Sequence, residues 1–166
     1  MGLNKRERQY LEMSHNELEA LSDDELFYAI MIRTEQKVGE YEDWAEGVNS
    51  LNPYQKIFYS VNWLEVEVNN GGLSQFFINS SRMVAPLVSE YMAIIGAEEH
   101  KRLYDGFLEK YKIDSADIAS FASNNWEEVE ERYERYPFDE YDDAFYDMEP
   151  LETYLTKYAR ENLTEF

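Results

Sequence analysis

Almost every apolar residue in this chain falls at helical spacing, and no stretch sustains the every-second-residue alternation of a half-buried strand. That periodicity leaves an all-α fold as the expectation, read as a single multi-helix globular domain over residues 1–166. Residues 1–50 would supply N-terminal helices and residues 51–166 the main body. A polar opening helix is expected over Lys5 to Met13. Ser22-Asp23-Asp24-Glu25 has the capping-box pattern, in which the serine hydroxyl accepts from the amide three residues on and the glutamate reaches back. Behind it Phe27, Ile30, Met31, Thr34, Val38 and Tyr41 form one stripe, so a helix is expected to about Trp44.

Asn52-Pro53 is the next start signal, because Asn caps and Pro loses nothing at the first helical position. Ile57, Val61, Leu64 and Val68 then line one side, and Tyr59, Trp63 and Val66 another. A helix apolar on opposite sides is expected to be central and buried on both. It should end at Asn69-Asn70-Gly71-Gly72, where left-handed backbone angles cost little. Shorter segments follow: Leu73 to Asn79, a helix opened by Pro86 and closed by Gly96, and the clean stripe Leu103, Tyr104, Phe107, Leu108, Tyr111 within Glu98 to Lys112. Next come a short piece from Ser115 to Ser123, an acidic helix through Trp126, Val129, Tyr133 and Tyr136 stopped by Pro137, a turn or two around Tyr141 to Met148, and a last helix from Pro150 with Leu151, Tyr154, Leu155 and Tyr158 inward.

Charge narrows the function. Thirty-five Asp and Glu face fifteen Lys and Arg, a formal net charge of −20. Between Glu127 and Glu149 stand eleven acids and two bases, Arg132 and Arg135, which is −9 in that stretch. Such charge is common in disordered tails, but those lack aromatics, and here aromatics are 16% and apolar residues 44% of the chain. The acids therefore belong to a folded surface. It would repel nucleic acid and anionic membrane, so no direct nucleic-acid or membrane binding is expected, and it would attract basic proteins, including those that bind DNA. No apolar run is long enough to span a bilayer, and the basic Met1–Arg6 start leads into no signal-peptide core, so a cytoplasmic protein is expected.

Patterns for chemistry are weak. Without cysteine there are no disulfides, thiol nucleophiles or Cys-based metal sites. His15 and His100 have no second ligand at metal-binding spacing, and Asp139-Glu140-Tyr141-Asp142-Asp143 lacks the alternating ligands and central glycine of a calcium loop. Gly71-Gly72-Leu73-Ser74 is neither a nucleophile elbow nor a phosphate loop. No metal, cofactor or catalytic set is expected, and the chain reads as a non-enzyme.

The most distinctive segment is Glu65-Val66-Glu67-Val68-Asn69-Asn70-Gly71-Gly72-Leu73-Ser74-Gln75-Phe76-Phe77-Ile78-Asn79. A carboxylate on a buried helix must be hydrogen-bonded or paired. Glu65, Glu67, Asn69, Asn70, Gly71, Gly72, Gln75 and Asn79 are therefore expected to form a structural polar network at a helix–turn–helix corner, with a ligand pocket from the same groups as the alternative. This segment resembles the signature of a bacterial domain family of unknown function that includes a DNA-mimic protein. Ile95-Gly96-Ala97, Asp142-Asp143-Ala144-Phe145-Tyr146 and Tyr154 through Phe166 continue the resemblance, which covers about Leu51 to Phe166. It implies an all-helical domain and, for the mimic member, binding to DNA-binding proteins through acidic surface.

The leading expectation is an acidic binding protein that occupies the basic surface of a DNA-binding protein. The expected contact residues are Glu127, Glu128, Glu130, Glu131, Glu134, Asp139, Glu140, Asp142, Asp143 and Asp147, with Tyr133, Tyr136, Tyr141 and Tyr146 interleaved either as anchors or as core. Asp23, Asp24, Glu40, Glu42, Asp43 and Glu46 form a second acidic group. The alternatives are a toxin-neutralising or immunity-type protein aimed at one basic enzyme, a small enzyme built on Glu65 and Glu67, and a plain acidic helical domain. Partner identity and homo-oligomerisation are left open by the sequence.

Overall fold

A computed structural model describes residues 3–117, 126–135 and 139–166, and of residues 132–135 and 139 the backbone alone. The fold is all-α, with no strand among the described residues. The helices are α1 (Lys5–Glu12), α2 (His15–Glu19), α3 (Asp23–Val38), α4 (Trp44–Ser50), α5 (Pro53–Ile78), α6 (Ala85–Ile94), α7 (Glu98–Tyr111), α8 (Trp126–Arg135), α9 (Asp139–Tyr146) and α10 (Leu151–Glu161). Short 3₁₀ turns cover Ser80–Val84 and Leu163–Glu165. Among the described residues no helix is long and apolar enough to cross a membrane. Two compact units emerge, Met1–Tyr59 with Glu152–Phe166, and Ser60–Leu151.

In the first unit, local capping defines the helix starts. The Asn4 side chain accepts from the Glu7 amide at 3.0 Å while Glu7 accepts from the Asn4 amide at 2.7 Å, so polar α1 owes its start to a capping box. Ser14 and Glu17 repeat the device at α2, and the hydrogen bonds from Ser14 hold the Glu17 carboxyl below its ordinary range. At α3 the Ser22 hydroxyl accepts from the Glu25 amide at 3.4 Å. The helix expected to run to Trp44 ends instead at Val38. Gly39 follows it, and Asp43 opens a separate helix by accepting from the Glu46 amide at 2.9 Å. Tyr41, expected in the stripe of α3, lies in the connection and is 44% exposed.

The core of this unit includes Leu18, Leu26, Ala29, Ile30, Phe58, Leu155 and Ala159. Phe58 packs against Phe27 and Phe166 with centroids 5.3 and 5.7 Å away. Arg33 gathers carbonyls distant in sequence, donating to Tyr10 at 2.7 Å, to Phe166 at 3.3 Å and to Met13. Burial lowers the pKa of its guanidinium. Arg160 ties the last helix to Asp23 at 2.6 Å and to the Leu21 carbonyl at 2.8 Å.

In the second unit, the part of α5 after the corner supplies Phe76 and Phe77, both buried. Phe77 stacks on Tyr104 and Phe107 with centroids 6.2 and 5.8 Å away, and Phe107 meets Tyr141 edge-on at 5.4 Å. The buried Tyr104 hydroxyl donates to the Ala85 carbonyl at 2.9 Å, and desolvation drives its pKa up. α5 was expected to be buried on both sides. Val61, Leu64 and Val68 are buried on one side; on the other Tyr59 is buried and Trp63 half-buried, but Val66 is 43% exposed. Gly96, at φ 83°, closes α6 as expected. Most of the expected Ser115–Ser123 piece lies outside the described residues, as do Tyr136 and Pro137.

Gly47 sets how closely α4 approaches α3, because a Cβ there would sit 2.6 Å from the Val38 carbonyl oxygen. The obstacle is backbone and cannot rotate away. Gly47→Ala should therefore destabilise the protein by about 1–3 kcal/mol despite the higher helix propensity of Ala. Urea unfolding checks this, and a stability equal to wild type would refute the close approach.

Candidate functional site

Two features on the second unit answer to the residues singled out from sequence: a buried carboxylate corner and an acidic surface. The corner lies where α5 breaks. Gly71 and Gly72 have non-helical angles, and Gly72 adopts φ 74°, ψ −180°, a region reserved for glycine. The break frees carbonyls behind it and amides ahead of it, and each needs a partner in a buried place.

Glu67, 5% exposed, bridges the break. One oxygen accepts from Gln75 Nε2 at 2.7 Å and Asn79 Nδ2 at 2.8 Å, and the other accepts from Ser81 Oγ at 2.9 Å. Three side-chain donors from beyond the corner thus converge on one carboxylate before it. Glu65, 9% exposed, accepts from the backbone amide of Leu151 at 2.7 Å, the residue that opens α10. Asn69 and Asn70 are exposed and stand outside this network. Of the expected set, the structure brings together Glu67, Gln75 and Asn79 around the glycines, and gives Glu65 a separate partner. Ser81 was missed, because it lies just past the distinctive segment.

Helix α9 completes the corner from the far end of the unit. Asp142 Oδ1 accepts from the Leu73 amide at 2.9 Å, the first free N–H after the break. The Tyr146 hydroxyl donates to the Val68 carbonyl at 2.8 Å, behind the break. One helix, through residues four apart on one face, therefore caps both sides of the interruption. Asp142 was expected among the partner-contacting acids. Its half-buried carboxylate is instead held inside the fold, seated where a Cβ at Gly72 would collide with it. Tyr146 remains 50% exposed beyond its hydrogen bond, and desolvation, with the nearby Asp142 and Asp143 charges second to it, raises its pKa.

The acidic surface lies on α8 and α9. Glu127, Glu130 and Glu131 are exposed and share one face of α8 by their spacing, and Glu128 is half-buried. Glu140, Asp143 and Asp147 are exposed on and just after α9. Glu134 and Asp139 belong to the positions whose side chains lie outside the described residues, as does Tyr133. Glu140 pairs with Lys110. Trp126, at the start of α8, is 82% exposed, whereas Tyr141 is half-buried against Phe107 and Tyr111. In the other unit Asp23, Asp24, Glu40, Glu42, Asp43 and Glu46 are all exposed, Asp23 paired with Arg160. Among the described residues no three His, Asp or Glu come together to hold a metal ion.

His100, 2% exposed, sits edge-on to Phe145 with centroids 5.2 Å apart. Desolvation lowers its pKa below the ordinary histidine value, against the opposing pull of Glu99 and Glu149.

These features define an acidic all-helical protein in which a glycine-broken helix is locked by a buried glutamate and by the helix that bears part of its acidic surface. The chain belongs to the DMP19-like protein family, whose model matches residues 49–162. The match spans the corner, both acidic helices and all of α10, and the family is of DNA-mimic type. No curated protein and no solved structure matches the chain.

Two outcomes follow from this geometry. Gly72→Ala should cost about 3 kcal/mol or more, through a strained backbone angle and loss of the Asp142 cap. Gly71→Ala should cost less, because its φ of −167° carries no left-handed strain, although a Cβ would press on the Gln75 amide and weaken its bond to Glu67. Equal losses in urea unfolding would contradict the assignment. His100 should contribute a pH dependence of stability near neutrality. Its folded pKa is depressed, so the unfolded state binds more protons and stability falls as pH drops below about 6.5. The urea midpoint of the wild type should decline between about pH 7.5 and 5.5, and His100→Asn should flatten that decline; a variant that keeps the full slope would exclude His100 as its source.

Proposed function

We propose that this protein is a DNA mimic: an acidic, non-enzymatic binding protein that occupies the basic surface of a DNA-binding protein. The observation that carries the reading is the set of exposed carboxylates Glu127, Glu130 and Glu131 along α8, with Glu140, Asp143 and Asp147 on and after α9, of which, among the described residues, only Glu140 is paired with a base, Lys110. Duplex DNA presents one negative charge per ~1.7 Å of axis over both strands. Acids four residues apart on a helix lie about 6 Å apart along its axis, and those three apart about 4.5 Å. Glu127, Glu130, Glu131 and Glu134 repeat at these intervals, which suits lysines and arginines set to meet phosphates.

Membership in a family of DNA-mimic type supports the same reading. So does the aromatic character of the surface. Trp126 offers a large apolar contact beside the α8 acids, the kind of residue that anchors interfaces, and the charges around it steer a basic partner toward it. The buried carboxylates fit a supporting role. Glu67 is surrounded by three donors and Glu65 holds a backbone amide, which makes them parts of the scaffold that presents the acids.

Capture from a bacterial lysate tests this directly. The wild-type protein should retain DNA-binding proteins at low salt, release them as salt rises, and release them to added duplex DNA. The variant with Glu127, Glu130, Glu131 and Glu134 all changed to Gln should bind the recovered partner about ten- to a hundredfold more weakly, from four surface charges. A partner that ignores duplex DNA would mark an inhibitor of one basic enzyme instead. Unchanged affinity in the quadruple variant would remove α8 from the interface.

A further inference from the structure

At the start of α9 the protein holds one of its own cations against two aromatic rings and a carboxylate. Lys110, near the end of α7, places its ammonium over the Tyr111 ring and over the Tyr141 ring, 5.3 Å from each centroid. The same ammonium pairs with the Glu140 carboxylate. The two rings meet edge-on with centroids 6.0 Å apart. Their orientation is fixed from beneath: Tyr141 packs on Phe107 at 5.4 Å, Tyr111 packs on Phe107 at 5.3 Å, and the Tyr141 hydroxyl points to the Gly106 carbonyl at 3.5 Å. Lys110 and Glu140 themselves are solvent-exposed, so the occupant can leave while the rings stay in place.

We infer that Tyr111, Tyr141 and Glu140 form a seat for one lysine side chain of the basic partner, and that Lys110 is its resident occupant, displaced on binding. This rests on the mimic reading above and adds to it the chemistry of one contact. A cation gains from ring faces as well as from a carboxylate, and a quadrupole attraction is less weakened by salt than a bare surface pair. The seat therefore recognises an ammonium by shape as well as by charge. Lys110 acts as a built-in competitor: it keeps the rings covered in the free protein and lowers apparent affinity until a partner replaces it.

Hexalysine is the probe, measured by calorimetry at low salt against three proteins: wild type, Lys110→Gln and Lys112→Gln. Lys112 is exposed and follows α7 directly, so its replacement changes net charge by the same amount without emptying the seat. Lys110→Gln should bind hexalysine about three- to fivefold tighter than Lys112→Gln, the size expected of an exposed cation–π contact. In the wild type, the Lys110 ε-methylene signals in a ¹H–¹³C spectrum should lie upfield of ordinary lysine and move to the ordinary value as hexalysine saturates. Equal gains in the two variants, or ε-methylene signals that stay upfield at saturation, would overturn the seat and leave the acidic-surface reading standing. If none of the three proteins binds hexalysine, both fall together.

Discussion

A buried carboxylate that must find hydrogen-bond donors is the constraint on which the second unit depends. Glu67 has almost no access to water, so its two oxygens can be satisfied only from within. Gln75, Asn79 and Ser81 provide the donors, and they reach Glu67 because the helix is broken at Gly71–Gly72. The glycine break is thus not a weakness in a long helix. It places donors where the carboxylate needs them, and the carboxylate in turn ties the two sides of the break together. Phe76 and Phe77, between those donors in sequence, are thereby directed into the aromatic core with Tyr104 and Phe107.

The same corner ties scaffold to surface. An interrupted helix leaves orphan groups on both sides, and α9 satisfies one on each side with Asp142 and Tyr146. Those hydrogen bonds fix the register of α9, so the exposed acids Glu140 and Asp143 on that helix are presented from a defined position. Charged groups held on a rigid element lose less freedom on binding than the same groups on a mobile tail. A dense negative surface also repels itself, and anchoring by buried hydrogen bonds offsets that repulsion. The acidic residues of α9 accordingly divide into one that holds the helix and others that face water, although all carry the same charge.

Much of the helical layout was legible in sequence, because caps and breakers act locally. Asn52-Pro53, Pro86, Gly96 and the Gly71–Gly72 pair mark boundaries that the structure respects. The expected helix from Ser22 to Trp44 was too long, since its apolar stripe continued in spacing past Gly39 while Asp43 capped a new helix. That error arose where a periodic pattern masked a local stop. Val66 was placed in the core by the same periodicity, yet how wide a strip of a helix is covered depends on what packs beside it. The site was legible in its glutamates and amides, since buried carboxylates demand donors. It was not legible in Ser81, in the Leu151 amide or in the role of Asp142, whose partner lies 69 residues away.

The sequence by itself determined the helical class, the break at the glycines, the excess of negative charge and the family signature. Each follows from backbone preference, side-chain composition or the order of residues, and none requires knowing which distant groups meet. Only the tertiary structure decided which acids hold the fold and which face water, and that Lys110 rests between two tyrosines and Glu140. The physical reason is that a carboxylate's role is set by its neighbours: beside a buried amide it caps, and beside water it attracts cations.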